Sequence, residues 1–444
     1  TTTKAIENSD ELKTAIDNKA DYHLNVELRT TVDEDWAKAG YVQAAEQFVL
    51  AQRTALPALP AVKGDVKRLK VDRKNNQVIV SNDRVSMTFD ENTAELVAWS
   101  YNGQPILYPG KGAKYDNFRW IENEAPYTSK PYKELGSGHQ VPDLFNFGSA
   151  PEVTTQQNGQ KVIVTAMNEG NVPNTLTYTI HADGTVLLDA SFSYNSGKLR
   201  RLGVSMGFDR KYNNLDYTAK GPQENYVDRQ EGSFFGRYKT VVDSNIVNYA
   251  RTQTCGNRMS LRRLDLTDNE GNGFRVETQG QVDFSILPYD DHDLVAVEHW
   301  WELKKPVYNT AHFDAFQQGL GSGSCGPAET LHDYKAATQK MPMKYTLRFT
   351  PLGGLITGIS SPSLSASTAS LQLSQPDSST VVVKGDLTPY YQAQLVNLGG
   401  VVLQSLPLSG SNNLRFSVAD LAEGTYLLHL QQTDGTSTTL KFFH

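Results

Sequence analysis

Apolar and polar residues alternate with a period of two along much of this chain. Within residues 176–190, Leu176, Tyr178 and Ile180 alternate with threonines before an Asp-Gly pair turns the chain into a second alternating run. Such alternation places the apolar side chains on one face of a half-buried antiparallel sheet. Other short apolar runs are separated by Asn-Gly, Asp-Gly or glycine-rich turns, which are typical of hairpins. The pattern therefore predicts an all-β protein.

Two changes in composition divide the chain into parts. Residues 54–65 contain two prolines, which remove backbone donors and favour an extended linker. After residue 352 the chain becomes rich in Ser, Thr and Leu and contains no Trp or Cys. These changes predict an opening segment (1–53), the linker, a central domain (66–352) and a small terminal β domain (355–444). The short alternating runs of the terminal domain suggest an immunoglobulin-like sandwich.

Charge and cysteine content exclude several classes of function. The 42 Lys and Arg against 49 Asp and Glu give a net charge of −7, so the chain has no basic field that would attract nucleic acid. A membrane span takes ~18–20 apolar residues, and none is expected here. The two cysteines, Cys255 and Cys325, cannot supply a four-ligand zinc site. Residues 290–293 (Asp-Asp-His-Asp) lack calcium-loop spacing and are interpreted as a solvated acidic turn, so we predict no metal site.

The densest cluster of turn-forming and charged residues is Gly-Pro-Gln-Glu-Asn-Tyr-Val-Asp-Arg at 221–229. Its carboxylates can form charge-assisted, bidentate pairs with nearby arginines, and such pairs would hold a long loop. Carboxylate and guanidinium groups also suit sugar hydroxyls, so direct contact with a ligand is an alternative. The residues concerned are Glu224, Asn225, Asp228, Arg229 and Arg237.

The histidines and tryptophans give weaker signals. An epimerase uses an acid and a base to open a sugar ring, and His299 with Glu224 would be such a pair. No local motif supports that pair, and a structural histidine is the ordinary interpretation. Trp99, Trp120 and the tryptophan pair at 300–301 are expected mainly in the core, because aromatic side chains dominate burial.

The motif at 221–229 resembles the signature of the C-terminal domain of β-galactosidases of glycoside hydrolase family 2. Residues 117–124, 255–258 and 313–321 carry the same resemblance. Residues 21–50 resemble the end of the immunoglobulin-like sandwich that precedes this domain in the family. The resemblance implies a galactose-mutarotase-like supersandwich over the central domain, which closes one side of a sugar site.

The resemblance also implies roles for particular residues. In the family, a loop of this domain places an aromatic residue at the active-site rim of a neighbouring barrel, and Cys325 takes that position here. The residues expected to contact the sugar are Ser322, Ser324, Cys325, Glu224, Asn225, Arg229 and His299. The residues expected to support them as a scaffold are Asp228, Arg237, Arg258, Asp314 and Asn123.

Catalysis in that family depends on another domain. A retaining glycosidase needs two carboxylates about 5–5.5 Å apart, and the family carries them, with its magnesium ligands, on a barrel of ~250 residues that alternate between strand and helix. This chain shows no such alternation. The resemblance therefore implies the C-terminal portion of a β-galactosidase, without the catalytic barrel or a cofactor of its own, and inactive alone.

The implied partners are a β-galactoside or another carbohydrate, the catalytic barrel and, as an open option, a second copy of the chain. Two other functions stay open, namely a stand-alone carbohydrate-binding module and an aldose-1-epimerase-like enzyme. The terminal domain resembles the C-terminal sorting-type β domains of secreted Gram-negative bacterial enzymes. A periplasmic or secreted location is therefore expected ahead of a cytoplasmic one.

Overall fold

The computed structural model shows a chain in which strands dominate. It describes residues 19–58, 66–121, 150–168, 174–193, 200–321, 330–335, 339–355, 371–377, 379–388, 390–397, 402–408, 413–419, 421, 424–432 and 437–443. The chain divides into two compact units, residues 1–358 and 359–444. The predicted all-β class is confirmed.

The strands of the first unit, in chain order, are β1 (Tyr22–Arg29), β2 (Val42–Ala51), β3 (Lys70–Lys74), β4 (Gln77–Ser81), β5 (Val85–Asp90), β6 (Leu96–Tyr101), β7 (Gln104–Pro105), β8 (Lys114–Asp116), β9 (Glu152–Gln156), β10 (Lys161–Asn168), β11 (Asn174–His181), β12 (Val186–Phe192), β13 (Arg201–Asp209), β14 (Asn214–Gly221), β15 (Phe234–Val241), β16 (Arg263–Thr267), β17 (Gly273–Gln279), β18 (Asp283–Leu287), β19 (Tyr308–Gln317) and β20 (Met343–Leu352). The helical elements of the described residues are α1 (Asp291–Val295) and 3-10 turns at Gln157–Gly159, Val242–Ser244, Trp300–Glu302, His332–Tyr334 and Gly353–Leu355. None of the helices in these ranges is long and apolar enough to cross a membrane.

Three antiparallel sheets share one hydrophobic core in the first unit. The nine-stranded sheet has the order β15-β14-β16-β17-β20-β12-β11-β10-β9, and a five-stranded sheet (β3 to β7) and a four-stranded sheet (β18-β19-β13-β8) contribute side chains to the same core. The ring of Phe349 on β20 lies 4.9 Å from that of Trp99 on β6 and 6.4 Å from that of Phe313 on β19. Phe349 therefore connects all three sheets.

The alternating run at 176–190 forms the hairpin of β11 and β12, as its sequence predicts. Leu176, Tyr178 and Ile180 are buried, and the threonines between them are only partly exposed. Gly184 in the turn has a φ of +94°, a conformation that glycine adopts at no steric cost. The period-two pattern and its turn residue thus specify the local structure together.

The four-stranded sheet has a polar face opposite its core face. Alternate residues of β13 and β19, such as Val204 and Phe313, point into the core. On the other face, Ser205 pairs with Lys114 and His312, Gly207 pairs with Thr310, and Gly203 pairs with Asp314. His312 and Asp314 are buried although they are polar, because the segment that carries α1 covers this face.

The opening hairpin of β1 and β2 attaches to the edge of the nine-stranded sheet. The Gln47 side chain donates to the Phe235 carbonyl at 2.8 Å and accepts from the Phe235 N–H at 2.7 Å. Arg53 donates to the carbonyls of Arg262 and Thr278 at 2.7 and 2.9 Å. Side-chain groups of residues 19–53 thus bind backbone groups of the central sheet.

The second unit is a small sandwich with its own core. Its strands are β21 (Gln372–Asp377), β22 (Thr380–Lys384), β23 (Tyr390–Asn397), β24 (Val402–Pro407), β25 (Asn413–Ser417), β26 (Thr425–Gln432) and β27 (Ser437–Phe443). They form two antiparallel sheets, β21-β22-β25 and β24-β23-β26-β27. Val381 and Phe416 of the first sheet and Leu428 and Phe442 of the second meet in one apolar cluster.

Candidate functional site

Glu224 is the centre of a hydrogen-bonded cluster in the loop between β14 and β15. Its carboxylate accepts from Arg229 Nη2 at 2.8 Å and from the Gly256 N–H at 2.7 Å. It also accepts from the hydroxyls of Tyr226 and Tyr249. Four donors, one of them charged, take up the acceptor capacity of a carboxylate. The ion pair expected with Arg229 is therefore present, and Glu224 anchors the loop.

Burial and nearby charges shift the pKa values of the groups around Glu224. Burial, followed by the hydrogen bond and charge of Glu224, raises the pKa of Tyr249 to about 12. Burial alone would lower the pKa of Arg229, but the Tyr249 hydroxyl and the Glu224 carboxylate raise it overall. Tyr249 therefore remains a donor at neutral pH and Arg229 remains a cation. With 53% of its side chain exposed, Arg229 is the charged group of the cluster that meets solvent.

Asn225 lies inside the protein rather than on its surface. Its side-chain amide donates to the carbonyls of Lys220 and Gln223 at 3.2 and 3.0 Å. Its side-chain oxygen accepts from the Met259 N–H at 2.9 Å. The residue is fully buried, and its side chain holds backbone groups on both sides of the loop.

Arg258 supports the same loop, as the sequence predicts for a scaffold residue. Its guanidinium donates to the carbonyls of Pro222 and Gly256, each at 3.0 Å. Arg237, by contrast, does not join the cluster. It makes a bidentate pair with Asp216 at 2.7 and 2.6 Å on the outer face of the nine-stranded sheet.

Asp228 binds groups at both ends of one loop. Its carboxylate accepts from the N–H groups of Leu320 and Gly321, each at 2.9 Å, and from the Thr330 hydroxyl at 3.3 Å. Gly319 lies so close that a Cβ there would come within 2.3 Å of the carboxylate. Asp228 therefore connects the two ends of this loop.

The loop itself carries three of the predicted rim residues. Ser322, Ser324 and Cys325 lie outside the residues that the structure describes, and so does Asn123. The start of the loop has a second anchor, since Arg119 donates to the carbonyls of Gln318 and Gly319. No single motif marked Arg119 for this role.

Two cavities lie beside Glu224 and Arg229. One, of about 540 Å³, is bounded by Asp228, Gln230 and Tyr334 among others. The other, of about 550 Å³, extends to residues of β14 and β15 and to Tyr249. Both volumes are typical of small-molecule sites. The motif at 221–229 therefore forms the polar boundary between two ligand-sized spaces.

His299 lies away from this cluster. Its Nδ1 is 3.0 Å from the Ala250 carbonyl oxygen, and its ring stacks on Trp301 at 4.4 Å. It lines neither cavity beside Glu224, so the structure does not place the two as an acid–base pair. The expected burial of the tryptophan pair is wrong, since Trp300 and Trp301 are exposed.

A second polar cluster lies on the polar face of the four-stranded sheet, and of its residues only Asp314 is expected from the sequence to be a scaffold residue. Arg201 Nε lies 3.1 Å from Asp314 Oδ2, and Arg201 also pairs with Asp291. His312 lies between Asp116, at 3.3 Å from Nδ1, and Asp291, at 3.6 Å from Nε2. The interpretation of residues 290–293 as a solvated turn is therefore wrong, because Asp291 is a buried ion-pair partner.

The pKa values of the buried carboxylates in this part of the sheet are shifted in different directions. Burial raises the pKa of Asp314, although Arg201 opposes the change. Burial also raises the pKa of Asp283, its direct neighbour across β18 and β19, to about 7. Asp116 keeps a lowered pKa because hydrogen bonding and charge from His312 outweigh burial. Throughout the described ranges, no three His, Cys, Asp or Glu side chains are placed to hold a metal ion.

The family model and the curated relatives that match this chain agree on one family. The family model described as β-galactosidase small chain matches residues 81–349. The β-galactosidase of Priestia megaterium is 26% identical over 345 residues, which cover 75% of this chain and 32% of that protein. The β-galactosidase of Lactobacillus delbrueckii subsp. bulgaricus is 30% identical over 323 residues, which cover 69% of this chain and 29% of that protein.

The chain thus spans about a third of the length of the curated relatives that it matches. Among solved structures, a galactose mutarotase-like protein from Lactobacillus casei ATCC 334 is similar over 62% of this chain and 100% of that chain. The sequence identity is 12% and the TM-score is 0.36.

Proposed function

This chain belongs to the β-galactosidase small chain family, and on that premise we propose that it forms one wall of the sugar site of a β-galactosidase. The catalytic barrel is assigned to another part of the parent protein. The observation that carries the proposal is that the Asp228 carboxylate accepts hydrogen bonds from both ends of the loop that bears Ser322, Ser324 and Cys325. A loop whose base is fixed can present its residues to a substrate in a constant position.

The residues of the loop after Gly321 and those of the motif at 221–229 have different roles in this proposal. Ser322, Ser324 and Cys325 contact the sugar at the shared rim, and the exposed guanidinium of Arg229 borders the same region. Glu224 and Asn225 act by holding the loop, because their polar atoms are already hydrogen bonded within the protein.

The same bonding pattern argues that the reaction needs another domain. Double displacement requires one carboxylate free to attack and a second to transfer a proton. Glu224 is held by an arginine and three further donors, which disfavours either task. We therefore assign both reacting carboxylates and the magnesium ligands to the catalytic barrel.

The opening hairpin supports a larger parent assembly. Leu28 on β1 and Phe48 and Val49 on β2 each expose more than half of their surface. A two-stranded hairpin is marginally stable alone, and exposed apolar patches mark interaction surfaces. We propose that the preceding part of the parent protein covers this hairpin and completes the sandwich predicted for residues 1–53.

Mixing the chain with the catalytic part of its parent tests the proposed function. We expect no hydrolysis of nitrophenyl β-galactoside by the chain alone, and restored hydrolysis when both parts are combined. The variant Asp228→Ala should raise KM in the combined enzyme. The matched variant Asp72→Ala, which changes an exposed residue of β3 that lines neither cavity beside Glu224, should leave KM unchanged.

One outcome would overturn the assignment of the chemistry. If the pure chain hydrolyses the substrate and Glu224→Gln abolishes that activity, the reacting carboxylate belongs to this chain. If combination with the catalytic part restores no activity, the wall of the sugar site lies elsewhere.

A further inference from the structure

We propose that a cavity on the polar face of the four-stranded sheet binds one uncharged sugar ring or a polyol of similar size. The cavity has a volume of about 210 Å³ and is bounded by β8, β13, β19 and the residues around the start of α1. It shares no lining residue with the two cavities beside Glu224. This second site is therefore formed by the chain itself and is distinct from the two cavities beside Glu224.

A buried hydroxyl supports the presence of a ligand. Thr310 lines the cavity and is 3% exposed, and its Oγ1 has no hydrogen-bond partner among the described residues. Its neighbours Ala311 and Asn309 lie on the other face, so Thr310 shares the polar face with His312. A buried polar group without a partner is rare in native proteins and calls for an explanation. A ligand hydroxyl in the cavity would supply the missing bond.

The walls of the cavity carry both signs of charge. Two lysines, Lys111 and Lys114, and two aspartates, Asp116 and Asp290, line it. An anion would approach the carboxylates and a cation would approach the ammonium groups. A sugar hydroxyl both donates and accepts, so a neutral polyol satisfies both kinds of group at once.

The shape of the cavity is fixed by contacts of its own wall. The ring of His292 stacks on Phe118 at 3.8 Å. The Lys111 ammonium lies 4.7 Å above the ring of Tyr308, which also stacks on Tyr108 at 5.0 Å. These rings hold the wall in place before a ligand arrives, which lowers the entropic cost of binding.

The volume limits the ligand to a small molecule. Sites for drug-sized ligands take about 300–1,000 Å³, and this cavity is smaller than that range. One sugar ring therefore matches it better than a disaccharide does.

Titration of the full chain with D-galactose, D-glucose, myo-inositol, lactose and inorganic phosphate tests the proposal. Saturation-transfer NMR or calorimetry should show saturable binding of at least one of the neutral monocyclic polyols, with Kd in about the millimolar range that a few hydrogen bonds provide. Phosphate should not compete. Lactose should bind more weakly than galactose.

Two substitutions should weaken this binding. Thr310→Val keeps the shape of the side chain but removes the hydroxyl, and should weaken binding by roughly 3- to 10-fold. Its melting temperature should stay equal or rise, because it removes an unpaired buried hydroxyl. Lys114→Met should weaken binding as well. Thr88→Val, the same change at a strand residue outside the cavity, should have no effect.

Several results would overturn the proposal. These are the absence of saturable binding, unchanged affinity in Thr310→Val, or displacement of the bound polyol by phosphate. Binding is measured on the chain alone, so it is independent of the combination assay for the sugar-site wall. If the chain binds galactose through Thr310 but restores no hydrolysis, the site in this cavity is supported and the proposed function is wrong.

Discussion

Arg201 and Asp314 form an ion pair of 3.1 Å in which neither side chain is exposed to solvent. A buried ion pair loses its hydration on folding, so removal of one partner leaves an uncompensated charge. Arg201 also pairs with Asp291, which increases the effect. A single substitution in this cluster should therefore lower the free energy of unfolding strongly.

We predict that Arg201→Met lowers the free energy of unfolding by about 3–5 kcal/mol, measured by denaturant titration of the full chain. Arg237→Met is the matched control, because Arg237 makes a bidentate pair with Asp216 but is 55% exposed. An exposed pair contributes at most about 1 kcal/mol. Equal losses in the two variants would contradict the burial argument.

Asp283 should make stability depend on pH. Its pKa is raised from 3.8 to about 7, first by burial and also by Asp314. A carboxyl group with a raised folded-state pKa stabilises the fold fully below its unfolded pKa, and that contribution is lost as the pH rises towards 7. Asp283→Asn should therefore be more stable than the parent chain at pH 8, by on the order of a few kcal/mol.

The difference in unfolding free energy between Asp283→Asn and the parent chain should become smaller as the pH falls from 8 to 4. The Ser260 N–H donates to Asp283 Oδ1, and asparagine keeps an oxygen in that position. Urea midpoints at several pH values would measure the effect. A difference that is constant with pH would mean that folding does not raise the pKa of Asp283.

The effects of substituting Asp228 and Gly319 on stability should be coupled, because both residues lie at the base of the loop that bears Ser322, Ser324 and Cys325. Asp228→Ala removes the acceptor of three hydrogen bonds, and Gly319→Ala introduces a Cβ that collides with the same carboxylate. Each change should cost about 1–3 kcal/mol, and the double variant should cost clearly less than the sum. Thermal unfolding and the rate of proteolysis between residues 321 and 330 would measure this.

Gly232→Ala is the control for the glycine substitution. A Cβ at Gly232 meets nothing within 4 Å, so its effect should lie within about 0.5 kcal/mol. Additive effects of Asp228→Ala and Gly319→Ala would show that the two residues support the loop independently.

Glu224→Gln should destabilise the loop between β14 and β15. The amide carries no charge to pair with Arg229, and its NH₂ group replaces one acceptor where only donors are present. We expect a loss of about 2–3 kcal/mol in unfolding free energy. Glu231→Gln in the same connection is exposed and should change stability by less than about 0.5 kcal/mol.

Local patterns in the sequence predict a large part of the fold. The alternation of Leu176, Tyr178 and Ile180 and the Asp-Gly turn after them specify a hairpin without reference to the rest of the chain. The pair between Glu224 and Arg229 is similarly local, since five positions of one loop separate them.

Contacts that depend on strand register were not predictable in this way. Asp291 resembles a surface residue because its partner, Arg201, lies 90 positions earlier on β13. Arg237 pairs with Asp216 only because β14 and β15 place them on one face of the sheet. His312 and Asp314 did carry a signal, because with Thr310 they are polar residues at alternate positions of β19.

The amide of Gln47 occupies the backbone donor and acceptor of Phe235 on the outermost strand of the nine-stranded sheet. Free edge strands template pairing between molecules and so promote aggregation. A shortened chain that begins at the linker would lose this side-chain block. Residues 19–53 should therefore be retained wherever the protein must remain monodisperse, and Gln47→Ala would expose the same vulnerability at a single position.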